Sequence, residues 1–89
     1  MNKEEILEKL QFIVRTVIHR RAEFSKEENA ENLRELMNSI TDHGQLLKEV
    51  DKLSKIDYDW LTMKYEEWFE QELSNHPEIQ EIRKKMLRQ

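Results

Sequence analysis

Three histidines and nineteen acidic residues are the side chains in this sequence that could bind a metal or transfer protons. A di-iron site in a helical bundle needs a glutamate three residues before a histidine on each of two helices. The positions three before the histidines hold Thr16, Ile40 and Leu73. The pairs His19/Glu23 and Glu72/His76 lack a third ligand of regular spacing. We therefore expect neither a metal nor a cofactor.

The acidic residues also form a cluster, with Glu66, Glu67 and Glu70 close together in one segment. Neighbouring carboxylates perform acid-base catalysis only where a cleft drives their pKa values apart. The sequence has no glycine-rich phosphate loop and no nucleophile motif. It also has no cysteine, which excludes a thiolate nucleophile. These absences predict that the protein is not an enzyme. We expect the glutamate cluster to form a solvated acidic face.

The elements that position these residues are predicted to be helices. Gly44 is the only glycine and Pro77 the only proline, whereas tightly turned sheets need several residues that tolerate positive φ. Charged residues make up 38% of the chain and hydrophobic residues 37%, with the hydrophobic residues at helical spacing. A chain of 89 residues fits one domain, residues 1–89. We expect an all-α antiparallel bundle of four to five helices.

The first half of the chain is predicted to hold three helices. Residues 3–22 carry a wide apolar stripe typical of a central helix. Ser25 and Glu28 have the spacing of a capping box, which predicts a second helix from about residue 26. Its predicted core face comprises Ala30, Leu33, Leu36, Met37 and Ile40. Gly44 permits a left-handed turn, so we expect this helix to end at residues 41–44 and a third to follow.

The second half is predicted to hold one long helix and one short one. A break near Ile56, with Ser54 or Asp57 as the cap, separates the third helix from a fourth that reaches Leu73. Glu72 falls within the apolar arc of this fourth helix, where an unpaired carboxylate would be costly to bury. We therefore expect a basic partner for Glu72, and the C-terminal cluster of Arg83, Lys84, Lys85 and Arg88 offers one. A short last helix follows Pro77, with three apolar residues aligned: Ile79, Ile82 and Met86.

Several residues have no predicted core role and are candidates for partner binding. Phe12, Trp60 and Met63 project away from the apolar faces of their helices. Exposed aromatic residues and methionine are enriched at protein interfaces. Together with the acidic residues Glu66, Glu67 and Glu70, they predict a small regulatory inhibitor or adaptor, similar in kind to antitoxins, immunity proteins or anti-sigma factors. Its partner is a protein, and a homodimer is one expected arrangement.

Two alternative functions use the same helices. Gly44 and Val50 have the spacing of a weak helix-turn-helix, which predicts a dimeric DNA-binding regulator, although the net charge of −4 argues against nucleic acid. The acidic face could instead imitate nucleic acid in a partner's basic groove. No apolar run reaches the roughly 20 residues of a membrane span, and no signal peptide is recognisable, so we expect a cytoplasmic protein without a membrane partner.

One short stretch resembles a known family. Phe24-Ser25-Lys26-Glu27, followed by Glu31-Asn32, in a predicted all-helical chain of this length, resembles the anti-sigma inhibitors of T-even phages. The resemblance implies a transcription inhibitor as one form of the interaction protein. The second half of the chain does not follow that family, so the resemblance assigns no binding residues.

Overall fold

The computed structural model describes residues 1–74, 76, 77, 79–81 and 84. Its first helix, α1, spans Lys3–Lys26 and is one turn longer than predicted. Asn2 caps it, because the side-chain Oδ1 accepts a hydrogen bond of 2.8 Å from the backbone N–H of Glu5. Acidic residues in the first turn offset the positive end of the helix dipole. No strand occurs among the described residues.

The connection to the second helix lies four residues further along the chain than predicted. Helix α2 spans Ala30–Val50, and its cap is Asn29, whose side chain accepts a 2.8 Å hydrogen bond from the N–H of Asn32. The Asn32 Nδ2 in turn donates to the carbonyl oxygen of Glu27 at 2.9 Å, which fixes the loop. The predicted capping box at Ser25 is wrong, because Ser25 lies in the last turn of α1.

The predicted turn at Gly44 is also wrong, because α2 continues through it without a positive φ. A glycine inside a helix costs about 1 kcal/mol relative to alanine. Burial of Leu46 and Val50 beyond it stabilises the C-terminal half of α2 and outweighs that cost. The predicted second and third helices are therefore one helix, and the helix-turn-helix geometry at this position is not formed.

A break before the next helix occurs as predicted, but at residues 51–54 rather than near Ile56, and Ser54 is the cap. Residues 51–54 form a turn, and the Ser54 hydroxyl accepts a 3.2 Å hydrogen bond from the N–H of Asp57. Helix α3 spans Lys55–Trp68 and continues into a π-helical turn, Phe69–Leu73. After it, Pro77, residues 79–81 and Lys84 are helical. Ile82 and Met86 of the predicted last helix lie outside the described residues.

Helix α1 is central, as its wide stripe predicted, and it packs against both other long helices. It runs antiparallel to α2, since Arg20 near its end forms a 3.6 Å ion pair with Glu35 near the start of α2. It runs parallel to α3, since Lys3 forms a 3.4 Å ion pair with Asp57. One core cluster contains side chains from all three helices: Ile6, Leu10, Leu46, Val50 and Leu61.

A second cluster joins α1 to the end of the α3 segment without α2. Its buried members are Ile18, Trp68 and Leu73, and Ile79 packs against them. Among the described residues, the N-terminal half of α2 supplies no apolar side chain to either cluster, and part of its apolar surface is exposed. Within the described part of the chain, no helix is long and apolar enough to span a membrane.

Candidate functional site

An exposed apolar stripe runs along α2. It comprises four side chains that are 43–52% exposed, with Gly44 between the last two; we call these five residues the outer stripe: Leu33, Met37, Ile40, Gly44 and Leu47. The spacings of four, three, four and three residues place them on one face of the helix. Contiguous exposed apolar surface of this kind marks interaction sites more often than isolated exposed residues do.

Gly44 has no structural role that the chain itself explains. A Cβ built at this position would meet no heavy atom within 4 Å, so no neighbouring group excludes a side chain. The backbone is helical, so no special φ excludes one either. A glycine without a side chain permits close approach of another backbone. At this point of the outer stripe no side chain covers the α2 backbone.

A groove lies beside the outer stripe, between α2 and α3 and over α1; we call it the α2–α3 groove. It has a volume of about 360 Å³ and is lined by residues from all three helices, among them Leu10, Leu47, Tyr58 and Tyr65. A separate, smaller depression of about 150 Å³ is almost entirely apolar and is lined by Val14, Val17, Ile18, Ile40, His43 and Ile79. His43 borders both depressions.

Charged residues border these two apolar surfaces differently. Glu66 is exposed on α3 and lines the α2–α3 groove. Arg34 and Lys48 are exposed on α2, on the side of the outer stripe away from the groove. One carboxylate therefore lies at the groove, and two cations lie along the far edge of the stripe.

The predicted partner-binding aromatics do not share one surface. Phe12 is 69% exposed, as predicted, and it borders a depression formed by α1 residues alone. Met63 is 48% exposed, also as predicted. The expectation that Trp60 has no core role is wrong: the side chain packs against the three-helix core, and the Lys3 ammonium lies 4.9 Å from the ring centroid. The predicted role of Trp60 in partner binding stays a prediction.

The predicted acidic residues are all exposed, but their surroundings differ. Glu67 forms a 3.8 Å ion pair with Lys64 one turn before it. Glu66 and Glu70 border a shallow cleft beside Tyr65 and Phe69. Burial raises the pKa of the Tyr65 hydroxyl, so this residue stays neutral. Only Glu66 of the three also lines the α2–α3 groove.

Glu72 has the basic partner that the sequence predicted, although the partner comes from α1. The Arg15 guanidinium donates a hydrogen bond to Glu72 Oε2. The Trp68 indole N–H donates to the same oxygen at 2.9 Å. These donors, chiefly Arg15, lower the pKa of the Glu72 carboxyl, against a smaller opposing effect of desolvation. The guanidinium also lies 5.3 Å from the Trp68 ring, so one cluster ties α1 to the end of the α3 segment.

Chemistry-bearing side chains do not converge on any of these surfaces. Among the described residues, no group of three or more histidine, cysteine or acidic side chains is placed to hold a metal ion. Within the same range, each buried side-chain nitrogen or oxygen atom has a hydrogen-bond partner.

Comparison of the chain with models of known families, with curated proteins and with solved structures found no match. The case for a function therefore rests on the geometry of the chain.

Sequence reasoning missed the outer stripe because it assigned Leu33, Met37 and Ile40 to a core face. The structure corrects that assignment, since all three are exposed. The sequence does contain a signal for this stripe. If α2 is drawn as one continuous helix, Leu46 and Val50 lie about 100° or more around the helix axis from Leu33. An apolar arc so wide cannot be covered by a single neighbouring helix. The described core clusters include Leu46 and Val50 of α2 but none of the three exposed residues.

Proposed function

We propose that this chain is a non-enzymatic interaction protein, an inhibitor or adaptor, that binds a helix of a different protein along the outer stripe. The observation that carries the proposal is the stripe itself, whose apolar side chains are about half exposed. Partner helices commonly dock on such faces through anchors spaced three, four and seven residues apart. Gly44 supports it further, because it lets the partner backbone approach α2 closely.

Charge favours a different protein over a second copy of this chain. The stripe is symmetric about residues 40–41, so two copies would pair α2 antiparallel, with Leu33 opposite Leu47. That pairing brings Arg34 of one copy beside Lys48 of the other, twice in each dimer. Like charges at contact distance destabilise an exposed pair by a few tenths of a kcal/mol and disfavour the wrong partner.

The same two cations define the chemistry of the partner. An amphipathic helix that places apolar side chains on the stripe would present one edge to Arg34 and Lys48. Acidic residues on that edge would form pairs that steer association and fix its register. The expected partner therefore exposes an apolar helix face with an acidic border.

The test compares two substitutions that introduce the same charge at exposed apolar positions. Met37→Lys places a cation in the middle of the stripe, whereas Phe12→Lys does so on α1, away from it. Each variant is used for affinity capture from cells, and the protein retained by the natural chain is then purified and titrated. We expect Met37→Lys to weaken its affinity at least about tenfold, because an unpaired charge is buried in an apolar contact. Phe12→Lys is expected to bind as the natural chain does.

The reverse outcome would contradict the proposal. If Phe12→Lys abolished binding and Met37→Lys did not, the α1 surface that the sequence singled out would be the interaction site. A salt series provides a second control. If acidic residues of the partner contact Arg34 and Lys48, the affinity for the partner is expected to fall moderately as ionic strength rises.

A further inference from the structure

We propose that the α2–α3 groove binds an organic cation with an aliphatic body, a ligand of the alkylammonium class. The volume of the groove, about 360 Å³, lies within the range of roughly 300–1,000 Å³ that is usual for small-molecule sites. The groove and the outer stripe share the side chain of Leu47. The proposal nevertheless does not rest on partner binding along the stripe, and its test needs no partner protein.

The floor of the groove is aliphatic. One side chain from each long helix lines it, namely Leu10, Val50 and Leu61, and all three belong to the three-helix core cluster. Leu47 extends the apolar lining towards the outer edge of α2. Methylene groups placed against this floor are removed from water, which is favourable in proportion to the apolar area that they bury. The floor therefore favours a ligand with an aliphatic body.

The α3 wall of the groove adds two aromatic rings. Tyr58 and Tyr65 both line the groove, and they lie seven residues apart on one face of the helix, about 10.5 Å along its axis. Tyr58 is 48% exposed and Tyr65 is half-buried. An aromatic ring attracts a cation to its face, and aromatic walls of this kind hold quaternary ammonium groups in other proteins. The rings therefore favour a ligand with a positive head group.

The charge at the groove favours the same sign. Glu66 follows Tyr65 on the α3 wall, one turn after Thr62, and helical side chains lean towards the helix N-terminus, which directs the carboxylate back along the groove. Among the described residues Glu66 has no ion-pair partner, whereas the neighbouring Glu67 pairs with Lys64. The described lining holds neither lysine nor arginine. A cationic ligand would supply the missing positive charge.

An alkylammonium ion uses all three features at once. Its head group would lie beside the Glu66 carboxylate and the tyrosine rings, while its chain covers the floor. A neutral alcohol of the same length would gain from the floor alone. A carboxylate of the same length would gain from the floor and be repelled by Glu66. The expected order of affinity is therefore ammonium, then alcohol, then carboxylate.

The test uses three probes that share a six-carbon chain and differ only in the head group: hexylammonium, 1-hexanol and hexanoate. Each is titrated into the full chain, labelled with ¹⁵N, at about pH 8, where an amine is charged and an unperturbed imidazole is neutral. We expect hexylammonium to bind at least about threefold more tightly than hexanol, and hexanoate to bind most weakly. The chemical-shift changes are expected to centre on the groove, at His43, Leu47 and Thr62.

Three results would overturn the proposal. Equal affinity for the three probes would show that the groove recognises only the aliphatic chain. Shift changes centred on other residues, such as those around Phe12, would show that the groove is not the site. Shifts that grow without saturation would show that there is no defined site.

The role of the carboxylate is tested by a matched pair of substitutions. Glu66→Gln removes the charge at the groove and is expected to weaken hexylammonium binding several-fold while leaving hexanol binding unchanged. Glu67→Gln makes the same change at an exposed neighbour that does not line the groove, and it is expected to affect neither probe. Equal losses in the two variants would contradict a specific contact with Glu66.

The role of the aromatic wall is tested at its more exposed ring. Tyr58→Leu keeps an apolar side chain but removes the ring, and it is expected to lower the affinity for hexylammonium about two- to fivefold, with little change for hexanol. Tyr58→Phe retains the ring and is expected to bind as the natural chain does. Unchanged hexylammonium binding by Tyr58→Leu would contradict the contact between the cation and the ring. All of these measurements are independent of the outer stripe, so failure of this proposal leaves the proposed function intact.

Discussion

Replacing Gly44 by alanine is expected to stabilise the protein, which is the opposite of what a glycine turn predicts. The added methyl group meets no heavy atom within 4 Å, and the backbone is already helical. The gain is the difference in helix propensity, about 1 kcal/mol, with about 0.4–1 kcal/mol observed for such replacements at compatible sites. In a domain of this size, 1 kcal/mol raises the Tm by roughly 4–8 °C.

The assay is urea unfolding followed by circular dichroism, with Gln45→Ala as a control at the next, exposed position of α2. The control is expected to change the free energy of unfolding by less than about 0.5 kcal/mol. Destabilisation by Gly44→Ala would refute the continuous α2 helix and support the left-handed turn that the sequence predicted. In partner titrations the same variant is expected to bind more weakly although it is more stable, because its methyl group obstructs close approach along the outer stripe.

Three further predictions concern stability. Ile6→Ala is expected to lower the free energy of unfolding in urea by about 2–5 kcal/mol, because Ile6 is fully buried. Ile56→Ala, at an 80% exposed position, should change it little. Equal losses would contradict the assignment of Ile6 to the core. Asn29→Ala is expected to cost about 1 kcal/mol through loss of the α2 cap and Ser25→Ala far less, and the reverse order would favour the predicted capping box. The pKa of Glu72 is lowered from 4.5 in the folded protein, so its ion pair stabilises the fold above pH 4.5. This contribution is lost as the pH falls through the lower pKa of the folded state. Glu72→Gln is expected to make stability fall less steeply with acid in urea unfolding curves measured across a pH series.

Helical character and the central position of α1 could be predicted from the sequence because both follow from local periodicity. The wide stripe of α1 and the scarcity of glycine and proline are visible without any structure. The cap at Ser54 was recognised as one of two options for the same reason. Glu72 was assigned a basic partner because a carboxylate within an apolar arc needs one.

The remaining features depended on contacts between helices, which local patterns do not specify. Ser25 and Asn29 both have side chains suited to capping, so the local sequence does not decide between them. The hydrogen bond from the Asn32 side chain to the Glu27 carbonyl oxygen fixes the loop in which Asn29 is the cap. From the sequence alone, Gly44 predicts a turn. The continuous helix follows only from the burial of Leu46 and Val50, which lie beyond it. Arg15 became the partner of Glu72 because α1 and α3 run parallel, which no short motif encodes.

The measurement that tests the central claim most directly is the solution mass by light scattering, across a concentration series, for the natural chain and for Met37→Lys. If the outer stripe is open to a different protein, both should be monomers of about 11.0 kDa, and a 1:1 complex should form only between the natural chain and its partner. A stable dimer of the natural chain that Met37→Lys dissociates would contradict the claim, since it would show that a second copy already covers the stripe.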